Sequence, residues 1–172
     1  EEYCYQTSWG LSTRSIGGLI MCHGDDNGLV LPPRIAPTKV IIIPIGDVSD
    51  KLKEITLGLE NAGISYKVDN SDKTPGYKFA DAEVKGYPIR LELGKRDLDN
   101  GFTTIVRRDT LEKIKVEDLE GLVGIIKDTM DIMQKEMYER ALKRRDSMIY
   151  EASTYDEFKD IAKNKNGFIK IT

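Results

Sequence analysis

The stretch Lys39-Val40-Ile41-Ile42-Ile43-Pro44-Ile45 decides the fold. It is a continuous apolar run, mostly β-branched, and it is bounded by Pro37 and Gly46. A run of this kind predicts a strand that is buried on both faces, whereas a half-exposed strand would alternate apolar and polar residues. Layers of secondary structure are therefore expected on both sides of it.

The residues after this strand predict a strand–helix–strand rhythm. Ser49 or Asp50 can cap a helix that stops at Gly63, and a second strand is expected over 64–68. This βαβ pattern predicts parallel pairing and an α/β fold. Further elements are expected downstream: a short helix over 77–85, and strands over 88–93 and 102–107 that are neighbours across a loop.

The segment from Val116 to about Arg145 predicts a long helix, since apolar residues recur in it at spacings of three and four. Its methionines, Met130, Met133 and Met137, are interpreted as core-packing residues. Beyond it, a strand is expected over 148–150, then a helix with a Thr154–Glu157 capping box, then a strand over 167–171.

The first 37 residues are rich in Gly, Ser and Thr. They predict a strand over 3–9 and a helix that begins near Ser12 or Thr13 and ends at Gly24. The run over 32–37 holds three prolines and predicts an extended linker. The expected divisions of the chain are therefore 1–37, 38–145 and 146–172.

Composition narrows the function classes. The chain has 172 residues, of which 40% are hydrophobic and 32% charged, and its net charge is −3. These values argue against disorder, and no apolar run reaches the roughly 18 residues of a membrane span. The near-neutral charge means that any nucleic-acid binding must depend on local contacts. Two cysteines and a single histidine favour a reducing cytoplasm and predict no metal site.

The stretch 7–14 is a candidate ligand site. Gly10 would allow a flat ligand to approach the backbone, and Arg14 lies in the first turn of the predicted helix, where an anion is favoured. An arginine in this position suits a polyphosphate, but it could equally be an ordinary surface residue.

This stretch and the residues 23–33 resemble motif 3 of class II aminoacyl-tRNA synthetases, in the form found in prolyl-tRNA synthetases of the eukaryote/archaeon-like type. The phrases at 74–79, 84–90 and 92–97 resemble the anticodon-binding domain of the same family. The resemblance implies a class IIa anticodon-binding domain with a mixed, largely parallel sheet flanked by helices. It also implies a strand–helix remnant of a catalytic domain before it and the start of an α+β C-terminal domain after it.

The resemblance also implies roles for individual residues. Arg14 matches the catalytic arginine that holds the γ-phosphate of ATP, and the residues that match the ATP and prolyl-adenylate pocket are Ser8, Trp9 and Gly10. The residues that match readers of the two guanines in proline anticodons are Glu83, Arg90 and Arg96. A carboxylate can accept from guanine N1 and N2, and a guanidinium can donate to O6 and N7.

The function implied is that of a proline–tRNA ligase, which uses ATP and Mg²⁺ to activate proline and then transfers it to proline tRNA. Such an enzyme is expected to be a cytoplasmic homodimer whose subunits meet through the catalytic domain. No membrane association is expected. The alternative is a non-enzymatic tRNA-binding module. The basic runs 107–108 and 143–145 are further candidates for phosphate contacts.

The 172-residue chain alone is expected to have no adenylation activity and to bind no ATP or Mg²⁺, because it contains nothing that resembles motifs 1 and 2. The measurement is proline-dependent exchange of pyrophosphate into ATP by this polypeptide. Exchange above the protein-free background would contradict the expectation.

Overall fold

The computed structural model describes residues 3–171, which form helices and strands in a largely alternating order. The elements in chain order are α1 (Arg14–His23), β1 (Val40–Ile45), α2 (Ser49–Asn61), β2 (Tyr66–Val68), α3 (Pro75–Lys85), β3 (Ile89–Gly94), α4 (Lys95–Asp99), β4 (Thr103–Arg107), β5 (Lys113–Val116), α5 (Leu122–Ser147), β6 (Ile149–Ala152), α6 (Tyr155–Asn164) and β7 (Phe168–Ile171).

The main sheet has five strands in the order β2-β1-β3-β4-β5. Strand β1 pairs in parallel with both β2 and β3, while β4 and β5 continue the sheet by antiparallel pairing. The predicted α/β class with a mixed sheet flanked by helices is therefore confirmed. Strands β6 and β7 pair in parallel as a separate two-stranded sheet, as expected of the strand–helix–strand tail.

Strand β1 is buried on both faces, as its sequence predicts. Val40 and Ile42 pack into a core that α2 and α5 cover, whereas Ile41 and Ile43 pack with Ala82 of α3 on the opposite face. Successive side chains of a strand point to opposite faces of the sheet, so the neighbouring strands also contribute to both cores. Leu91 of β3 joins the α2/α5 core, so its neighbours in sequence face α3.

Three sequence predictions were wrong in detail. Val116 ends strand β5 rather than beginning the long helix, because the alternating segment Lys113–Val116 pairs with β4. The expected loop over 94–101 contains the short helix α4. The expected extended linker is a turn, in which the carbonyl of Pro32 accepts from the amides of Ile35 and Ala36.

The predicted strand over 3–9 is also absent, since residues 3–11 adopt no regular structure. A strand needs a partner for its backbone groups, and no strand of the described region pairs with this segment. Its aromatic side chains are consequently exposed, Trp9 by 95%. Within residues 3–171, no helix combines the length and the apolar character needed to cross a membrane.

Segment 28–31 packs closely on the turn between α3 and β3. The amide of Leu29 donates to the carbonyl of Val84, and that of Leu31 to the carbonyl of Gly86. Gly86 has φ +72°, and a Cβ there would lie 2.6 Å from atoms of Leu29. Gly28, with φ +132°, approaches the backbone of Val84 equally closely.

Replacing Gly86 should therefore cost more stability than replacing a glycine of similar conformation in open space. Gly63 (φ +66°) is the matched control, because a Cβ there meets no atom within 4 Å. Gly63→Ala should lower the free energy of unfolding by about 1–2 kcal/mol, because alanine disfavours the left-handed backbone conformation. Gly86→Ala should lower it by about 1–3 kcal/mol more, because its Cβ also clashes. Urea unfolding of both variants measures the difference, and equal losses would contradict the packing described.

Candidate nucleic-acid interface

Glu83 and Arg90 meet on the α3 face of the sheet. Glu83 lies near the end of α3 and Arg90 near the start of β3, and Oε1 of Glu83 accepts from a terminal nitrogen of Arg90 at 2.6 Å. Arg90 also donates through Nε to Glu92 at 3.0 Å, and its guanidinium lies 4.6 Å from the ring centroid of Phe79. The side chain of Arg90 is 8% exposed and that of Glu83 is 26% exposed.

This geometry gives the two residues different capacities. The donors of Arg90 already face two carboxylates and the carbonyl of Phe79. A buried arginine held in this way fixes the position of its partner, because moving either group would leave a charge unpaired in a poorly solvated place. Glu83 retains an exposed edge and can accept hydrogen bonds from a ligand.

Arg96 lies apart from this pair, in helix α4 directly after β3, and its side chain is exposed. Residues 45–46 and 94–97 line a cavity of about 520 Å³ beside it. This place is the carboxyl end of two neighbouring parallel strands, β1 and β3. Along the sheet, β1 is followed by β2 on one side and β3 is followed by β4 on the other, so the strand order reverses between β1 and β3. Ligands of open α/β sheets bind at such switch points.

The candidate ATP and adenylate residues are not assembled into a pocket by the described part of the chain. Ser8, Trp9 and Gly10 are exposed and lie outside regular structure. Arg14 is the first residue of α1, where its amide donates to the hydroxyl of Ser12 at 3.4 Å. Its predicted place in the first turn of a helix is therefore confirmed, while its ligand stays a prediction.

Arg107 and Arg108 do not fit the hypothesis of surface phosphate contacts, because both are buried inside the fold. Arg107 donates to Asp109 and to Glu136 of α5. Arg108 donates to Asp25 from both terminal nitrogens. The basic run 143–145 is exposed near the end of α5 and remains a candidate.

The pair Asp25–Arg108 was not anticipated from the sequence. The two bonds measure 2.6 and 2.7 Å, and Nε of Arg108 donates to the carbonyl of Glu83 at 2.8 Å. The only signal for it was the position of two consecutive arginines at the end of a predicted strand, where burial would demand carboxylate partners. The partner lies 83 residues away, so spacing could not identify it.

A groove near the α3 start carries positive charge. Lys67, Lys73, Lys78 and Lys85 line it together with Asp69 and Asp81, and its volume is about 420 Å³. Lys78 and Lys85 are engaged with these two carboxylates. Tyr77 is exposed at the rim, with the ammonium of Lys73 5.5 Å from its ring centroid. An exposed aromatic among lysines is typical of surfaces that bind single-stranded nucleic acid.

The described residues form an α/β domain with a mixed five-stranded sheet and a charged cluster on its α3 face. Residues 39–129 match the family model described as "Anticodon binding domain". The chain belongs to this anticodon-binding domain family.

The chain is also similar to curated proline–tRNA ligases over 98% of its length. It is 51% identical to the proline–tRNA ligase of Lachnospira eligens and 49% identical to that of Clostridium novyi. It is 47% identical to the same enzyme of Bacteroides fragilis. The chain spans about 36% of the length of the first two relatives and 35% of the third.

The Asp25–Arg108 pair makes stability depend on pH in a defined direction. Hydrogen bonding from Arg108 holds the pKa of Asp25 below its ordinary value of 3.8. Since the folded state lowers this pKa, the pair contributes stability above the ordinary value, and the contribution is lost as the pH falls through the lower folded-state pKa. Asp25→Asn should reduce the free energy of unfolding at neutral pH. The difference in this free energy between the variant and the unsubstituted chain should become smaller in acid.

Denaturant unfolding measured between pH 7 and pH 3 tests this expectation. Glu54→Gln is the control, because it removes one partner of an exposed pair with Lys51 on α2, and such pairs contribute little. If the loss of unfolding free energy caused by Asp25→Asn stays constant or grows in acid, the charged pair with Arg108 is not its source.

Proposed function

We propose that the chain is the C-terminal part of a proline–tRNA ligase and that it supplies anticodon recognition and motif 3. The observation that carries the proposal is the exposed edge of Glu83, held in place by Arg90, in a domain of the anticodon-binding family. Arg96 lies apart from this pair and is exposed in α4. The similarity to proline–tRNA ligases over nearly the whole chain supports proline tRNA as the partner.

In this proposal Glu83 accepts from N1 and N2 of an anticodon guanine, since it keeps an exposed edge. Arg90 holds that carboxylate in place, so little reorganisation is needed when the base arrives. Arg96, which is exposed, donates to O6 and N7 of the second guanine. The bases of an anticodon loop are accessible to such contacts because they are unpaired.

The complete ligase would bind ATP and Mg²⁺, activate proline and act in the cytoplasm as a homodimer through its catalytic domain. In it, Arg14 would contact the γ-phosphate, and Ser8, Trp9 and Gly10 would line the adenylate pocket. The positive end of α1 beside Arg14 suits a phosphate. Mg²⁺ would supply charge neutralisation on the phosphates.

The second candidate function is a non-enzymatic tRNA-binding module. The motif 3 resemblance at 7–14 favours the ligase, because a module that only binds tRNA has no use for an ATP-binding arginine. The upstream coding sequence separates the two: an arginine in motif 2 supports the ligase, and an unrelated domain supports the module.

Arg96→Ala and Arg90→Ala should each weaken binding of proline tRNA by about 1–3 kcal/mol, because each removes or misplaces a base contact. Arg96→Ala is the cleaner test, since Arg96 is exposed whereas Arg90 is buried among carboxylates. Binding of labelled tRNA to the 172-residue chain gives the affinity, and thermal unfolding verifies that each variant is folded.

Lys51→Ala is the control for loss of one positive charge, because Lys51 pairs with Glu54 on α2 and is not part of the proposed site. Its affinity should match that of the unsubstituted chain. Unchanged affinity for both arginine variants would remove these residues from the recognition site.

A further inference from the structure

The segment that follows helix α1 is bonded to the anticodon-binding domain by the charged pair Asp25–Arg108. Helix α1 ends at His23, and Asp25 follows two residues later in a tight turn, where it exchanges two backbone hydrogen bonds with Gly28. Both carboxylate oxygens of Asp25 accept from Arg108 at the end of β4. The side chain of Arg108 is 2% exposed, so this carboxylate is a principal partner of a buried positive charge.

The same arginine is bonded to the element that carries Glu83. Nε of Arg108 donates to the backbone carbonyl of Glu83 at 2.8 Å, while the side chain of Glu83 accepts from Arg90 at 2.6 Å. Arg108 therefore joins Asp25 to the backbone of the residue that is proposed to read the anticodon. The path from α1 to the anticodon site consists of two directly bonded side chains and one carbonyl.

Backbone contacts make this junction stiff. The carbonyls at the end of a helix lack partners within the helix. The carbonyl of Val84 in α3 and that of Gly86, which follows α3, accept from amides of segment 28–31. A Cβ at Gly28 would lie 2.6 Å from Val84, and one at Gly86 would lie 2.6 Å from Leu29, so the two backbones are in direct contact. These short contacts hold segment 28–31 in one position against the turn that follows α3.

We propose that Asp25 and Arg108 are positioning residues that fix the orientation of the anticodon-binding domain relative to helix α1 during transfer of proline to tRNA. The proposal rests on the proposed function. A tRNA bound at the anticodon site must present its distant acceptor end to the catalytic part, so a small rotation at the junction displaces the reacting end. Misplacement of about 1 Å can cost on the order of 100-fold in rate.

The test uses the complete ligase that contains this chain, with Asp25→Asn and Arg108→Lys. Asp25→Asn keeps the side-chain oxygen that accepts from the amide of Asn27 but removes the charge that faces Arg108. Arg108→Lys keeps the buried positive charge but loses the paired bonds to Asp25. Glu54→Gln is the control at an exposed ion pair.

Four quantities are measured for each variant: kcat and KM for aminoacylation, the rate of proline-dependent pyrophosphate exchange, and Kd for proline tRNA. We expect kcat for aminoacylation to fall about tenfold in both variants. Exchange, which does not involve tRNA, should stay within about twofold of the unsubstituted enzyme, and so should Kd. A general loss of folding would lower exchange as well, so the split between the two activities separates positioning from stability.

Unchanged aminoacylation in both variants would overturn the proposal, and so would a parallel fall in exchange. A Kd that weakens as much as kcat falls would also overturn it, because the pair would then serve binding rather than orientation. If the unsubstituted ligase fails to charge proline tRNA, the proposed function itself fails and this inference with it. If that enzyme is active and the variants match it, only the role of Asp25 and Arg108 is lost.

Discussion

The burial of strand β1 on both faces is the constraint on which the rest of the structure depends. Its alternate side chains belong to two different cores, so helices must cover both sides of the sheet. Helices α2 and α5 occupy one side, and α3 occupies the other. Because β3 pairs with β1 in register, Arg90 lies opposite Ile41 and faces α3, where Glu83 completes the pair. The proposed recognition site is therefore a consequence of the sheet.

Much of this fold could be predicted from periodicity. The run 39–45, the helix after it and the methionine stripe of α5 each carry a strong local pattern, and the structure has the elements in those places. The predicted cap from Ser49 or Asp50 was wrong, because Val48, which has no side-chain acceptor, occupies the N-cap of α2. Strand β5 was missed because the apolar residues Val116 and Leu119 also fit a helical spacing. The strand at 3–9 was predicted from its composition, but a strand also requires a neighbour, which local sequence does not reveal.

The charged contacts could not be predicted in the same way. The residues proposed to read the anticodon came from a resemblance, and physics alone gave no reason to place Glu83 beside Arg90. Arg107 and Arg108 were interpreted as surface charges, yet each is buried with a carboxylate from a distant segment, Glu136 for Arg107 and Asp25 for Arg108. Such pairs depend on which elements meet in space, and their members have no fixed separation in the sequence. Asp25 is the clearest example, since its partner is 83 residues away.

In the proposed recognition, Glu83 and Arg96 contact the anticodon guanines. The most direct measurement is the affinity of the 172-residue chain for a proline anticodon stem-loop in which each guanine is replaced in turn by inosine or by adenine. Inosine lacks the N2 amino group, so the account predicts weaker binding where Glu83 reads the base. Adenine should cost more, about 1–3 kcal/mol at each position, because its N1 carries no proton to donate to Glu83 and an amino group replaces the O6 acceptor that Arg96 reads. Equal affinity for all of these RNAs would contradict the account.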